Sequence, residues 1–107
     1  MEFTFNTLHP IYDVINDEVD VHVEITSNQT KFQVTFVTYK RAEEIFSEKP
    51  FSIFTNTLFV EKLTEEQLNL ALKNSIENGK YLSVFYPINE QARIALFKKL
   101  TQEKVIA

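Results

Sequence analysis

One stretch of the sequence, residues 64–79, carries helix signals at both of its ends, and the remaining elements must pack around that helix. Thr64 is a preferred N-cap residue, and Gln67 three positions later completes the pattern of a capping box. Gly79 supplies the left-handed conformation that commonly ends a helix. These signals predict a helix of about fourteen residues that begins at Glu65.

Strands are predicted on both sides of this helix. Residues 51–63 are apolar but interrupted by three polar residues, a pattern that favours two short strands joined by a turn. Residues 81–86 are predicted to form a strand that Pro87 ends. Asn89 is a suitable N-cap for a last helix, which we expect to give way to a frayed tail at residues 101–107.

The N-terminal half alternates between apolar and polar residues. Residues 18–38 show this alternation on both sides of a polar turn, which predicts a β-hairpin with one buried face. Phe3 and Phe5 predict a short edge strand, and Thr38 is suited to cap a short helix. The fold class predicted for the single domain, residues 1–107, is α+β. We expect an antiparallel sheet of about four to five short strands, two main helices and one short helix.

The composition excludes several kinds of chemistry. The 107 residues include no cysteine, which excludes disulfides, thiol catalysis and cysteine-bound metals. A single glycine excludes glycine-rich phosphate-binding loops. We therefore expect a protein without a cofactor that is not an enzyme. The N-terminal residues lack the pattern of a signal peptide, which predicts a cytoplasmic location and no membrane association.

Charge is distributed unevenly along the chain. The first thirty residues hold six of the fifteen acidic residues and no Lys or Arg. This argues against nucleic-acid binding, which needs a basic surface, and favours a protein partner with a basic surface. The predicted acidic face consists of five residues: Asp13, Asp17, Glu18, Asp20 and Glu24. Ordinary surface charge that keeps the protein soluble is the alternative interpretation.

Asp20, His22 and Glu24 form the only cluster in the sequence with the residue types for catalysis or metal binding. On a strand these side chains project from one face, with neighbours about 6.5–7 Å apart. A metal site would need a further ligand from another element. The simpler interpretation is a solvent-exposed strand face, because polar residues normally alternate there.

A second candidate surface consists of apolar residues. Leu70 lies about 200° around the central helix from Leu68, so it is predicted to be exposed. The predicted strands near this helix are apolar on both faces, which requires a cover on both. Together these residues form a possible interface: Phe59, Leu70, Tyr81 and Phe85. Cover by Leu96 and Phe97 of the last helix would favour a monomer, whereas an uncovered face would favour a homodimer.

Three fragments resemble a class of small uncharacterised bacterial domains: Val19-Asp20-Val21-His22-Val23, Phe32-Gln33-Val34-Thr35-Phe36-Val37-Thr38 and Leu58-Phe59-Val60-Glu61-Lys62-Leu63-Thr64. The resemblance covers about residues 18–86 and implies two strands, then a strand and a helix. It implies no activity and no functional residue, since that class has no assigned function.

The leading hypothesis is a small non-catalytic protein-binding domain of a bacterial or phage cytoplasm, which recognises its partner through the acidic face. An immunity protein or an inhibitor of a basic enzyme is the most concrete version. One alternative is a small enzyme or metal-binding protein centred on His22 with Asp20 and Glu24. The other alternative is a structural domain that associates with itself.

Overall fold

The computed structural model describes residues 1–49 and 54–106, with side chains described as far as residue 102. Within these ranges the α+β class is confirmed. The elements, in chain order, are β1 (Phe3–Thr7), β2 (Glu18–Ile25), β3 (Thr30–Thr38), α1 (Tyr39–Glu48), β4 (Thr57–Val60), α2 (Glu65–Glu77), α3 (Tyr81–Val84), β5 (Tyr86–Pro87) and α4 (Glu90–Ile106).

The sheet is built on the predicted hairpin, which is confirmed as β2 and β3 with Val21 opposite Val34. The strands follow the order β1-β2-β3-β4, and the predicted edge strand is β1. β4 runs parallel to β3, whereas the other pairs are antiparallel. The sheet is therefore mostly antiparallel, as predicted, and β4 is the exception. The reason is that α1 crosses over between β3 and β4, as a parallel connection requires.

One face of the sheet forms the core. The alternating apolar residues of β2 and β3 are almost completely buried: Val19, Val21, Val23, Ile25, Phe32, Val34 and Phe36. Leu68, Leu72 and Ile76 of α2 belong to the same buried cluster. Their spacing of four places them along one side of the helix, so α2 covers this face of the sheet.

The predicted start of α2 is confirmed with one difference. The Thr64 hydroxyl accepts a hydrogen bond from the Gln67 N–H at 3.3 Å, as an N-cap does. The Gln67 side chain, however, accepts from the N–H of Lys62 at 2.8 Å instead of from Thr64. The helix ends at Glu77, and Gly79 adopts the expected positive φ of 77°.

The strand predicted for residues 81–86 is wrong. Tyr81–Val84 forms the short helix α3, and only Tyr86–Pro87 pairs with β3. The helical turn brings Tyr81 and Phe85 to the same side, where both are buried against Phe32 with ring centroids 5.6 and 5.9 Å from it. A short apolar run fits both a strand and a buried helix, and here the packing against Phe32 favours the helix.

The remaining predictions concern residues around β4 and α4. Of the two strands predicted within residues 51–63, one is present as β4, and residues 51–53 lie outside the described residues. The Thr38 cap of α1 is confirmed by its hydrogen bond from the Arg41 N–H at 3.2 Å. α4 extends to Ile106, into the segment for which the sequence predicts fraying.

Candidate functional site

An open hollow at the N-terminal end of β2 gathers three of the five predicted acidic residues. Asp17, Glu18 and Asp20 line this acidic hollow together with His9, Val19 and Thr35. Its volume is about 460 Å³. Among the described side chains its lining includes no Lys or Arg, so three carboxylates carry the charge of this lining.

Backbone and side-chain hydrogen bonds fix the walls of the acidic hollow. Asp17 is tied to Thr38 of β3 by three contacts: its carbonyl accepts from the Thr38 N–H at 3.1 Å and from the Thr38 hydroxyl at 3.3 Å, and its N–H donates to that hydroxyl at 3.2 Å. The Asp20 carboxylate accepts from the Thr35 hydroxyl at 2.6 Å. The Leu8 N–H donates to the Asp20 carbonyl at 2.9 Å, which brings the neighbouring His9 to the rim. The hollow is therefore a preformed part of the sheet end.

The loop over residues 10–16 leaves the acidic hollow at His9 and returns to it at Asp17. It exposes three large apolar side chains: Tyr12, which is 87% exposed, Val14 and Ile15. Tyrosine is enriched in protein interfaces, because one side chain combines a large apolar area with a polar end. The segment between two lining residues of the hollow, His9 and Asp17, thus carries exposed apolar side chains.

The other two predicted acidic residues do not line the hollow. The Asp13 carboxylate accepts from the N–H groups of Ile15 and Asn16 at 3.0 and 3.1 Å. These bonds hold the pKa of Asp13 below its ordinary value, since they favour the charged form. Glu24 forms an ion pair with Lys31, with an N–O distance of 3.7 Å. The five-residue acidic face predicted from the sequence is therefore only partly assembled.

Helix α1 brings basic groups towards the loop over residues 10–16. The charge of Lys40 also lowers the pKa of Asp13, although less than the backbone bonds do. Arg41 forms an ion pair with Glu44 at 3.3 Å, and Glu44 in turn accepts from the Asn16 side chain at 2.7 Å. The absence of basic residues from the first thirty positions therefore does not extend to their surroundings in the fold. Among the described residues, the lining of the acidic hollow itself does lack Lys and Arg.

The cluster of Asp20, His22 and Glu24 lies on the face of β2 opposite the core. Each side chain is bonded to its direct cross-strand neighbour: Asp20 to Thr35, His22 to Gln33 at 3.1 Å and Glu24 to Lys31. No group of three or more His, Cys, Asp or Glu among the described residues is arranged to hold a metal ion. The structure thus supplies no further ligand within those residues. It does bring His9 to the hollow that Asp20 lines, a proximity for which the sequence offered no signal.

The four residues of the predicted apolar interface separate into two pairs. Tyr81 and Phe85 are buried in the core, so the aromatic sheet face predicted from the sequence does not exist. Phe59 and Leu70 are 40% and 65% exposed and line one concave surface between β4 and α2, which we call the β4–α2 groove. Its volume is about 730 Å³, and Tyr39 also lines it. The sequence did not indicate Tyr39, because only the chain crossover places α1 beside β4.

Of the two residues considered as a cover from the last helix, Phe97 does not provide one. Phe97 of α4 is 70% exposed, whereas Ala92 is the residue of this helix that enters the core. Leu96 is only partly buried and lines a shallow surface next to Phe85. The argument for a monomer that rested on Phe97 therefore no longer applies.

Comparisons with protein-family models, with curated proteins and with solved structures found no match to this chain. The resemblance to small bacterial domains stays a prediction. Among the described residues, no helix has both the length and the apolar character needed to cross a membrane.

Proposed function

We propose that this protein is a small non-catalytic protein-binding domain that recognises a partner with a basic surface through the acidic hollow and its adjoining loop. The observation that carries the proposal is the convergence of Asp17, Glu18 and Asp20 on one open surface, which no Lys or Arg lines in the described part of the chain. Carboxylates arranged in this way attract a basic surface over long distances and raise the rate of association.

In the proposal, the adjoining loop supplies the apolar contact area that gives affinity, which charge alone does not give. Rim charges contribute mainly to association rate and specificity, whereas buried aromatic side chains contribute most of the affinity at protein interfaces. Tyr12 is the most exposed large apolar residue of the described chain. In the proposal it inserts into the partner surface, while the hollow orients basic groups around it. An immunity protein or an inhibitor that masks a basic enzyme of a bacterial cytoplasm is the concrete form of this function.

A charge-neutral triple variant tests the role of the hollow. Asp17→Asn, Glu18→Gln and Asp20→Asn together remove three charges while keeping oxygen atoms that accept hydrogen bonds from the Glu18 N–H and the Thr35 hydroxyl. The matched control neutralises three exposed acids elsewhere, with Glu43→Gln, Glu77→Gln and Glu90→Gln. Both variants have the same net charge, so a difference between them reports on position.

The probe is a lysine-rich peptide of defined sequence, titrated into labelled protein and followed by NMR chemical shifts at low and at physiological salt. We expect shifts at the amides of residues 9–20 that weaken with salt, because exposed charges are screened. The triple variant should lose these shifts, and the control variant should keep them. Equal loss in both variants would show that net charge alone attracts the peptide.

A test of the narrower proposal, an inhibitor of a basic enzyme, requires the natural partner. We expect a gene for a basic enzyme beside the gene for this chain. Wild-type protein should inhibit that enzyme, whereas the triple variant and Tyr12→Ser should inhibit it less by about tenfold or more, the effect of losing a good interface residue. Full inhibition by both variants would place the binding surface elsewhere on the molecule.

A further inference from the structure

The C-terminal end of α2 contains a dipeptide that can react with itself. Asn78 is the one asparagine of the sequence that precedes a glycine, and both Asn78 and Gly79 are exposed to water. The backbone nitrogen of Gly79 can attack the side-chain carbon Cγ of Asn78, because glycine has no side chain that would hinder the approach. Asparagine is a thermolabile residue. Whether Asn78 reacts depends on the backbone conformation around it.

The folded conformation of Asn78 keeps the two reacting atoms apart. Attack closes a succinimide ring, and this ring requires the Gly79 nitrogen to lie on the same side of the Cα–C bond as Cβ of Asn78. Asn78 is the C-cap of α2, with φ −88° and ψ 2°. A ψ near zero places the Gly79 nitrogen beside the backbone nitrogen of Asn78 instead. Ring closure therefore requires a rotation of about a third of a turn about the Cα–C bond.

Three hydrogen bonds oppose this rotation. The Asn78 side chain donates from Nδ2 to Oδ1 of Asn74 at 3.1 Å and accepts at Oδ1 from the Lys80 N–H at 3.0 Å. The Gly79 N–H, whose nitrogen would attack, donates to the Ile76 carbonyl at 3.3 Å. Both ends of the Asn78 amide and the attacking nitrogen are therefore held by the helix end.

We propose that Asn78 is a site of spontaneous deamidation and that the C-cap of α2 controls its rate, since reaction requires the helix end to open. In the opened chain, the Gly79 nitrogen loses its proton to a solvent base and forms a bond to Cγ of Asn78. The bond from Cγ to Nδ2 breaks, and Nδ2 takes up a proton from water and leaves as ammonia. Water then opens the ring at either carbonyl, which gives aspartate or isoaspartate at position 78.

Both products weaken the link between α2 and α3. A carboxylate at position 78 lies next to Glu77 and at the negative end of the helix dipole, where it is unfavourable. Isoaspartate also routes the main chain through Cβ, which lengthens it just before Tyr81. Tyr81 is buried against Phe32 with ring centroids 5.6 Å apart. Deamidation is therefore an irreversible step that destabilises the core.

Asn78 does not line the acidic hollow, so this modification is independent of the proposed recognition of a basic partner. It limits the lifetime of the folded chain instead. The local stability of the α2 C-terminus sets that lifetime, because the ends of helices open more readily than the core does.

The first experiment compares the full chain in its folded state with the same chain unfolded in guanidinium chloride, at one pH and temperature. Peptide mass spectrometry measures the fraction of Asn78 that has converted over time. We expect conversion in both samples, with a rate about tenfold or more lower in the folded chain. Equal rates would overturn the control by the C-cap. Conversion in the unfolded chain alone, even after prolonged incubation, would overturn the assignment of a site in the folded protein.

The second experiment removes one of the three hydrogen bonds. Asn74→Ala deletes the oxygen that accepts from Asn78, whereas Asn69→Ala makes the same change at another exposed position of α2. Both variants gain the same helix propensity, so a difference between them reports on the bond. Asn74→Ala should convert about threefold faster than Asn69→Ala when folded, at the lower end for a hydrogen bond because this one is exposed. Unfolded, the two variants should convert equally.

The third measurement tests the consequence for the core. Anion-exchange chromatography separates the converted protein, which carries one more negative charge, from the unconverted protein. The converted fraction should have the lower Tm, with the isoaspartate form below the variant Asn78→Asp. Equal conversion rates for folded Asn74→Ala and Asn69→Ala would overturn the proposed role of the hydrogen bonds. An isoaspartate form with the Tm of the unconverted protein would overturn the proposed effect on the core.

Discussion

Replacement of Phe85 by alanine is the sharpest test of the packing, because this residue changes from a predicted interface position to a core position. Phe85 is only 2% exposed, and its ring centroid lies 5.9 Å from that of Phe32 and 6.0 Å from that of Tyr81. Truncation of a buried Phe to Ala removes its transfer free energy and leaves a cavity, at a cost of about 3–5 kcal/mol. This is a large fraction of the roughly 5–15 kcal/mol by which a domain is stable.

The corresponding shift in melting temperature follows from the length of the chain. An unfolding entropy of about 2.1 cal/mol/K per residue gives about 0.22 kcal/mol/K for 107 residues. The expected loss for Phe85→Ala is therefore a decrease in Tm of roughly 13–22 °C. Differential scanning calorimetry measures it, with all variants at one protein concentration, since association would itself raise Tm.

The matched control is Phe97→Ala, the same substitution at a residue that is 70% exposed. Surface substitutions usually change stability by less than about 0.5 kcal/mol, so its Tm should change by only about 2 °C. The reasoning would be refuted if Phe85→Ala and Phe97→Ala shifted Tm equally, or if Phe97→Ala had the larger effect. Either result would mean that Phe97 contributes to the packing at least as much as Phe85 does.

Four further predictions follow from particular contacts. Thr64→Ala should cost about 1 kcal/mol through loss of the N-cap bond to Gln67, and an unchanged urea midpoint would contradict the cap. Asp13, whose pKa the backbone N–H groups lower, stabilises the folded state above the ordinary carboxyl range; this contribution should be lost as pH falls through its folded pKa, and Asp13→Asn should flatten that part of the stability curve. Zinc should leave the imidazole NMR signals of His22 unchanged, whereas saturable broadening that disappears in His22→Ala would support the metal-binding alternative. Removal of residues 89–107 takes the fully buried Ala92 out of the core and should strongly destabilise the protein, and a truncated chain with wild-type stability would show that α4 is dispensable.

The acidic hollow shows how far a sequence predicts a site. The charge asymmetry pointed to the region in which Asp17, Glu18 and Asp20 line one hollow. It did not predict that the Asp13 carboxylate would accept hydrogen bonds from backbone N–H groups. Nor did it predict that Glu24 would form an ion pair with Lys31. These partners come from the loop conformation and from the cross-strand register. Charge counts along a chain carry neither kind of information.

Elements whose signals are local were determined by the sequence itself. The N-cap of α2 depends on atoms three residues apart, and the alternation in β2 and β3 repeats every second residue, so both appear in a short window. The hairpin register follows, because a shift of one residue would expose the whole apolar set. For this reason the core face, the hairpin and the start of α2 were all predicted correctly.

Only the tertiary structure decided the features that depend on distant parts of the chain. Tyr81 and Phe85 satisfy a strand pattern as well as a helical one, and the position of Phe32 selects the helix. The parallel direction of β4 depends on the path of α1, and the same crossover brings Tyr39 to Phe59 and Leu70. The physical reason is that burial is a property of the assembled molecule: the same apolar residue is core or surface according to what the rest of the chain places against it.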